Sequence, residues 1–145
     1  MINKLTEKIL SEILDDAGFT FVEIDGGGLM CKLDADDDFE HDVYFIFDVD
    51  KKSGRLSMNA EAGKDDEFNA GKANLAKAIM KCNEHNNNYY HPKAYVQVPD
   101  GKIFAERTWF IEGPVSKEYL MDEIKQTMTL TWKFFCDFNG EKRQV

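Results

Sequence analysis

Cys82, His85 and His91 form the one cluster in this sequence whose side chains are plausible ligands for a transition metal. Thiolate sulfur and imidazole nitrogen are ligands that zinc prefers. Zinc sites, however, typically show two tight ligand pairs, or two histidines one helical turn apart, and neither spacing occurs here. We therefore expect no metal and no other cofactor. A metal or small-ligand site built from these three residues remains the alternative.

An acidic loop, residues 34–40, carries aspartates at the first, third and fifth positions of a potential calcium-binding EF-hand. Such a loop also requires glycine at its sixth position and glutamate at its twelfth. Phe39 and Phe45 stand at those positions, and Phe45 belongs to a predicted strand. The EF-hand interpretation therefore fails, and we expect this loop to be a solvated charge run.

No nucleophile stands in a recognisable catalytic motif. The sequence has no Gly-x-Ser-x-Gly elbow, and its serines fall in predicted helix, turn, strand and cap positions. The glycine run 26–28 lacks the Lys-Ser/Thr of a phosphate-binding loop and precedes a strand rather than a helix. We expect the protein not to be an enzyme. An enzyme of unrecognised type stays open, because Cys and His side chains can meet in three dimensions without a local signature.

Aromatic residues near the end of the chain are the best candidates for a functional surface. Along the last predicted helix, Trp132, Phe135 and Phe138 widen the apolar arc beyond what one sheet face requires. Core packing is the simpler interpretation, because aromatic residues at helical spacing usually belong to a core. The functional interpretation is a dimer interface or a groove for a polypeptide, to which Trp109 and Ile111 of the preceding strand contribute.

Hydrophobic periodicity predicts the elements that position these residues. The predicted order is a helix over 2–17, strands over 20–24, 29–33, 43–49 and 55–61, a helix from 66 into the polar run 83–88, strands over 93–98 and 102–111, and a helix capped by Ser116. The expected apolar side of the middle helix comprises Phe68, Leu75, Ala76, Ile79, Met80 and Asn83. The strand over 43–49 is apolar on both faces, which predicts a covered position or an interface. We expect one α+β domain over 1–145 with a largely antiparallel sheet, ending in a flexible tail over 139–145.

The charge balance restricts the class of partner. The chain has 18 Lys and Arg residues against 27 Asp and Glu residues, a formal net charge of −9, and 43% of its residues are hydrophobic. Nucleic acid and anionic lipid are bound mainly through Lys and Arg, so neither is expected here. No window approaches the ~18 consecutive apolar residues of a membrane span. The start of the chain lacks the apolar core of a signal peptide, and three cysteines do not suggest a disulfide framework, so we expect cytoplasmic residence.

Three stretches carry a family resemblance: the first helix running into 16–23, Asn83–Asn86 with Lys93 and Asp100-Gly101, and 110–120 entering the last helix. In these stretches the chain resembles the YbjN family of bacterial sensory-transduction regulators, whose fold is similar to that of type III secretion chaperones. The resemblance spans nearly the whole chain, apart from the insertion 34–40 and the tail after Phe138. It implies a domain with the fold of these chaperones, and it carries no catalytic residues over to this chain. Chaperones of similar fold are typically homodimers that hold extended segments along apolar grooves.

The sequence therefore predicts a cytoplasmic, non-enzymatic binding or regulatory protein of chaperone-like fold. We expect it to present an apolar surface to a polypeptide, either a partner or a second copy of itself, and to form a homodimer. The alternatives are the small-ligand or metal-binding protein and the unrecognised enzyme described above.

Overall fold

Nine elements follow one another in the computed structural model, which describes residues 1–63, 75–97, 101–111 and 113–143 and, from 138 onward, the backbone alone. In chain order they are α1 (Glu7–Asp16), β1 (Phe21–Glu23), β2 (Leu29–Leu33), β3 (Val43–Val49), β4 (Leu56–Ala62), α2 (Leu75–Asn88), β5 (Lys93–Gln97), β6 (Lys102–Trp109) and α3 (Lys117–Arg143). This is the predicted α-ββββ-α-ββ-α order of an α+β domain.

All six strands belong to one antiparallel sheet, in the spatial order β1-β2-β3-β4-β6-β5. The last hairpin enters the sheet through β6, which pairs with β4 and leaves β5 at the edge. The registers align one residue from each strand in a row across the whole sheet, here called the central row. Its members are Val22, Met30, Ile46, Asn59, Glu106 and Lys93.

The two faces of the sheet differ in burial. Every second residue of β3, from Val43 to Val49, is buried, and β4 shows the same alternation from Leu56 to Ala62. These side chains form one core with the buried residues of all three helices. On the opposite face of β3, Tyr44 and Ile46 are partly exposed. The two-sided apolar pattern of β3 therefore corresponds to one covered face and one that the described helices leave open.

The first helix is shorter than predicted. Its N-cap is Thr6, whose hydroxyl oxygen accepts the backbone N–H three residues later at 3.2 Å, so α1 begins at Glu7 rather than at residue 2. Ile2 is instead paired with Val115 by two backbone hydrogen bonds of 2.7 and 3.0 Å. Gly18 ends the helix with φ at 84°, the conformation for which glycine is the favoured residue.

The middle helix is rotated relative to the prediction. The residues that α2 buries are Ala78, Cys82 and His85. Ile79 and Met80, which were predicted on the buried side, are 41% and 70% exposed. Hydropathy alone predicts that Ile79 and Met80 are buried before the polar residues of this helix. The helix α2 instead packs against β5, and the hydrogen bonds of its C-terminal end, described below, fix which side faces the strand. Phe68 and the predicted start of this helix lie outside the described residues.

The last helix begins where the sequence predicts. The hydroxyl oxygen of Ser116 accepts the backbone N–H of Tyr119 at 3.0 Å, which caps the first turn. The helix then continues for 27 residues to Arg143, through most of the segment predicted as a flexible tail. Glutamate, lysine and arginine near its end have high helix propensity, and extending an existing helix needs only one more hydrogen bond per residue. Within the described ranges, no helix combines the length and apolarity needed to cross a bilayer.

Candidate functional site

A groove of about 470 Å³ opens beside α3, next to the end of β2. Its lining residues are Phe19, Leu33, Asp34, Asp36, Lys125, Met128, Thr129 and Trp132. Four of them are large and apolar, and three of these four are partly exposed while packed against the core. The charged members are two aspartates and one lysine. The groove therefore offers an apolar floor with a predominantly acidic rim.

Local structure explains why these residues meet. Met128 and Trp132 are four residues apart on α3, so their side chains are neighbours on one side of the helix. Leu33 is the last residue of β2 and points to the helix-covered face of the sheet. The chain leaves the sheet at Asp34, which places the acidic loop directly beside the apolar floor. Phe19 follows α1, held by a 2.9 Å hydrogen bond from its N–H to the Leu14 carbonyl.

The acidic loop is ordered by its own carboxylates. The side chain of Asp36 accepts the backbone N–H groups of Asp38 and Phe39 at 2.8 and 3.1 Å. The side chain of Asp42, just after the loop, accepts the N–H of Ala35 at 2.8 Å. Aspartate commonly stabilises turns in this way, because its short carboxylate reaches nearby backbone donors. The prediction of a merely solvated charge run was therefore incomplete.

Phe39 is the residue that this loop places in the core, and its side chain is 0% exposed. Its ring stacks on Phe135 with centroids 5.9 Å apart and meets Trp132 edge-on at 5.8 Å. The aromatic arc of α3 is wider than one sheet face requires because it packs against this loop as well as against the sheet. Sequence reasoning missed Phe39; the available signal was one aromatic residue inside an acidic run.

The structure places the five predicted surface residues in different environments. Trp132 lines the groove, and Phe135 is fully buried beneath Phe39. Trp109 is 8% exposed, and Ile111 is partly buried against the core. Of Phe138 only the backbone is described. Trp132 and Phe135 are thus brought together around Phe39, whereas Trp109 and Ile111 do not line the groove.

Trp109 belongs to a second cluster, centred on Arg107 of β6. The Arg107 side chain is only 10% exposed, and its two terminal nitrogens donate to Thr127 at 2.7 Å and Glu123 at 3.0 Å on α3. The guanidinium lies 4.4 Å from the centroid of the Trp109 ring, within cation–π distance. Tyr119 also donates a hydrogen bond to Glu123, at 3.3 Å. This ion pair holds α3 against the sheet, and no sequence motif identified it.

The predicted metal candidates are not arranged as ligands of one ion. Cys82 and His85 lie on the buried side of α2, while His91 is exposed in the turn that follows. The Nε2 of His85 is 2.9 Å from the carbonyl oxygen of Pro92, which can only accept, so this nitrogen carries the proton. Burial raises the pKa of the Cys82 thiol to about 11, which disfavours the thiolate that zinc binds. Across the described part of the chain, no three His, Cys, Asp or Glu side chains are grouped to hold a metal.

The C-terminal end of α2 holds the edge strand β5 in place by hydrogen bonds. The side-chain amide of Asn86 donates to the Ala94 carbonyl at 2.9 Å, and its oxygen accepts the Ala94 N–H at 2.8 Å. Together with the bond between His85 and Pro92, these contacts tie the last turns of α2 to the start of β5. A free edge strand exposes unpaired backbone groups. Asn86 therefore satisfies part of this edge, as a neighbouring strand would.

Two solved structures share this fold. The crystal structure of YbjN from E. coli, described as "a putative transcription regulator", is 15% identical, covers 94% of this chain and 93% of that chain, and has a TM-score of 0.71. An uncharacterized protein from Methanothermobacter thermautotrophicus is also 15% identical, covers 94% of this chain and 99% of that chain, and has a TM-score of 0.51. At this identity the similarity shows the fold alone. No curated protein matches the chain.

The comparison with protein-family models shows the family of this chain as well as its fold. The family model of YbjN, described as "Putative bacterial sensory transduction regulator", matches residues 6–139. This range contains every residue that lines the groove. It also contains His85 and Asn86, which hydrogen-bond the chain at the start of β5. The description concerns regulation and specifies no reaction, in agreement with the predicted regulatory class. The chain belongs to the YbjN family.

Proposed function

We propose that this protein is a non-enzymatic, cytoplasmic regulatory protein that binds a polypeptide segment in the groove beside Trp132. The observation that carries the proposal is the groove itself, in which a partly exposed tryptophan lies among other apolar side chains and next to charged ones. Tryptophan in an apolar pocket with a polar rim is typical of binding surfaces. The three cysteines are free thiols, as expected in a reducing compartment.

The rim indicates the charge of the segment. Asp34 and Asp36 outnumber Lys125, and the whole chain carries a formal net charge of −9. The Asp34 carboxylate is 3.2 Å from Lys32 in an ion pair whose side chains are 80% and 48% exposed, so solvent screens the pair and leaves it exchangeable. A segment with lysine or arginine beside an apolar side chain is complementary to this surface, and the long-range field accelerates its approach.

A matched pair of peptides tests the proposal. One is a short segment of leucine and lysine, and the other is the same segment with every lysine replaced by glutamate. Trp132 emission reports the groove when Trp109→Phe removes the second tryptophan. We expect the lysine peptide to change this emission in a saturable manner that weakens with added salt, and the glutamate peptide to have no effect.

Two substitutions on α3 provide the control for location. Thr129→Tyr places a bulky ring in the groove, whereas Gln126→Tyr places the same ring on the solvent side of the helix. We expect the first to abolish the emission change and the second to preserve it. Equal responses to both peptides, or binding that survives Thr129→Tyr, would show that the groove is not the binding site.

A chaperone-like role is the specific form of this function that the resemblance implies. It requires the bound segment to be held extended and shielded. Protection of the lysine peptide from trypsin by the wild-type protein, lost in Thr129→Tyr, supports this role. Binding without any protection contradicts it while leaving the regulatory function in place.

A further inference from the structure

The wall that α3 gives to the groove begins with a cation and ends with an aromatic ring. It is a single stripe along the helix, with members three or four residues apart: Lys125, Met128, Thr129 and Trp132. A helix rises about 1.5 Å per residue, so Lys125 and Trp132 are separated by about 10 Å along the axis. The apolar floor at Met128 lies between them.

The carboxylate of Asp36 lies at the Trp132 end of this wall. Its Oδ1 accepts the N–H of Phe39 at 3.1 Å, and the N–H of Asp36 donates to the Phe39 carbonyl at 2.9 Å. The ring of Phe39 in turn meets the ring of Trp132 at 5.8 Å. Both N–H groups that the carboxylate accepts are bound by Oδ1, so among the described residues its Oδ2 has no donor.

The cation at the other end has no partner in the described part of the chain. Lys125 is exposed and forms no ion pair or hydrogen bond with the described residues. The remaining charged lining residue, Asp34, is instead paired with Lys32 at 3.2 Å. The charges open to a ligand are therefore the ammonium group of Lys125 at one end and the carboxylate of Asp36 at the other.

We propose that the polypeptide segment bound in this groove places an acidic side chain against Lys125 and a basic side chain against Asp36, with an apolar side chain between them. The inference rests on the function proposed above and adds Lys125 as the residue that determines specificity. An extended segment advances about 3.3 Å per residue and directs every second side chain to the same side. The pattern Glu-x-Leu-x-Lys therefore separates its two charges by about 13 Å, which is comparable with the length of the wall.

The net charge of the protein favours a different segment. At a formal net charge of −9, the long-range field attracts a segment with two lysines more strongly than one with a lysine and a glutamate. A second lysine in the groove, however, meets the like charge of Lys125 at short range. The ranking of these two segments therefore separates a contact with Lys125 from general attraction to an acidic protein.

Three peptides with uncharged, capped termini test the proposal: Glu-x-Leu-x-Lys, Lys-x-Leu-x-Lys and Glu-x-Leu-x-Glu, where x is serine. Trp132 emission in the Trp109→Phe background reports binding at about 0.15 M salt, where the screening length of about 8 Å suppresses the field of distant charges. We expect the mixed peptide to bind about fivefold more tightly than the dilysine peptide, because a weak attraction to Lys125 replaces a weak repulsion. The diglutamate peptide should bind least.

A charge reversal at Lys125 tests the assignment of this residue. Lys125→Glu should invert the ranking, so that the dilysine peptide binds about fivefold more tightly than the mixed peptide. Lys8→Glu, an exposed substitution on α1 with the same change in net charge, is the matched control and should keep the wild-type ranking.

The possible failures are distinguishable. If the dilysine peptide binds the wild type at least as tightly as the mixed peptide, or if Lys125→Glu keeps the wild-type ranking, the inference about Lys125 is wrong while the groove remains the binding site. An inverted ranking in Lys8→Glu would also overturn it, since net charge would then set the preference. If none of the three peptides changes the emission, both this inference and the function proposed above are wrong.

Discussion

Replacing Phe39 with alanine should destabilise the protein strongly, although this residue lies in an exposed acidic loop. Its neighbours in sequence, from Asp34 to Asp38 and at Glu40, are exposed, and a sequence-based estimate would assign the loop little importance. The ring nevertheless contacts Trp132 and Phe135 in the interior. Phe39→Ala removes these two contacts, together with the edge-on contact to the His41 ring at 5.6 Å, and leaves a cavity over α3.

The magnitude follows from burial and from the surroundings. Removing a fully buried phenylalanine side chain typically costs about 3–5 kcal/mol, and the ring of Phe39 is 0% exposed. The exposed loop can move inward and fill part of the cavity, which favours the lower end. We therefore expect a loss of about 3 kcal/mol in the free energy of unfolding. Domains of this size are stable by about 5–15 kcal/mol, so the variant should remain folded and measurable.

Urea unfolding followed by circular dichroism measures this loss, and tryptophan emission adds a local readout. In the Trp109→Phe background, emission from Trp132 should shift to longer wavelength in Phe39→Ala, because the indole loses its edge-on neighbour and gains water. Asp37→Ala, an exposed substitution two residues earlier, is the control and should change the free energy by less than about 0.5 kcal/mol. A loss below about 1 kcal/mol for Phe39→Ala, with unchanged emission, would refute the inference that the loop is anchored through this ring.

Three further predictions concern the hydrogen bonds of Asn86 to β5, the buried imidazole of His85 and the buried thiol of Cys31. Asn86→Ala should cost about 1–3 kcal/mol, since two backbone groups of β5 lose their partners, whereas Asn87→Ala in the same exposed turn should be neutral in urea unfolding. Burial lowers the pKa of His85, so the folded protein favours the neutral imidazole. The free energy of unfolding should therefore fall as the pH drops through the unfolded-state pKa of about 6.5. His85→Gln should reduce this dependence of the free energy on pH. Burial raises the pKa of Cys31 to about 11, so the native protein should react with a thiol reagent first at the partly exposed Cys136 and at Cys31 only on unfolding.

Each of these predictions has a clear contradicting outcome. Equal losses for Asn86→Ala and Asn87→Ala would mean that the side-chain amide does not hold β5. A wild-type stability independent of pH between about 7 and 5 would contradict the buried neutral imidazole of His85. Labelling of Cys31 at the rate of Cys136 in the native protein would show that β2 is open to solvent.

Element order could be predicted because it depends on local patterns. The predicted β2 and β3 match the observed strands, since alternating and β-branched or aromatic residues specify a strand wherever it packs. The cap at Ser116 and the positive φ of Gly18 were predictable for the same reason, because a cap involves only residues within one turn. The start of α1 was mistaken because Ile2 continues the apolar period, although its backbone pairs with Val115.

The face of α2 could not be predicted from its own residues. Hydropathy favours burying Ile79 and Met80, yet the helix buries Cys82 and His85. The preference of a few side chains for burial competes here with three hydrogen bonds from His85 and Asn86 to the chain entering β5. These bonds join helix residues to partners seven and eight positions further along the chain, beyond the end of α2, so no periodicity within the helix contains them. The same holds for the groove, whose lining comes from three separate segments.

The sequence by itself determined the family, the order of helices and strands, and the acidic charge that disfavours phosphate-bearing partners. Only the tertiary structure decided which apolar residues are core and which are surface: Phe135 is enclosed and Trp132 lines a groove, although both lie on one helix arc. The reason is that composition and local spacing set the charge and the backbone pattern. Burial, in contrast, depends on contacts such as that between Phe39 and Phe135, which join residues far apart in the chain.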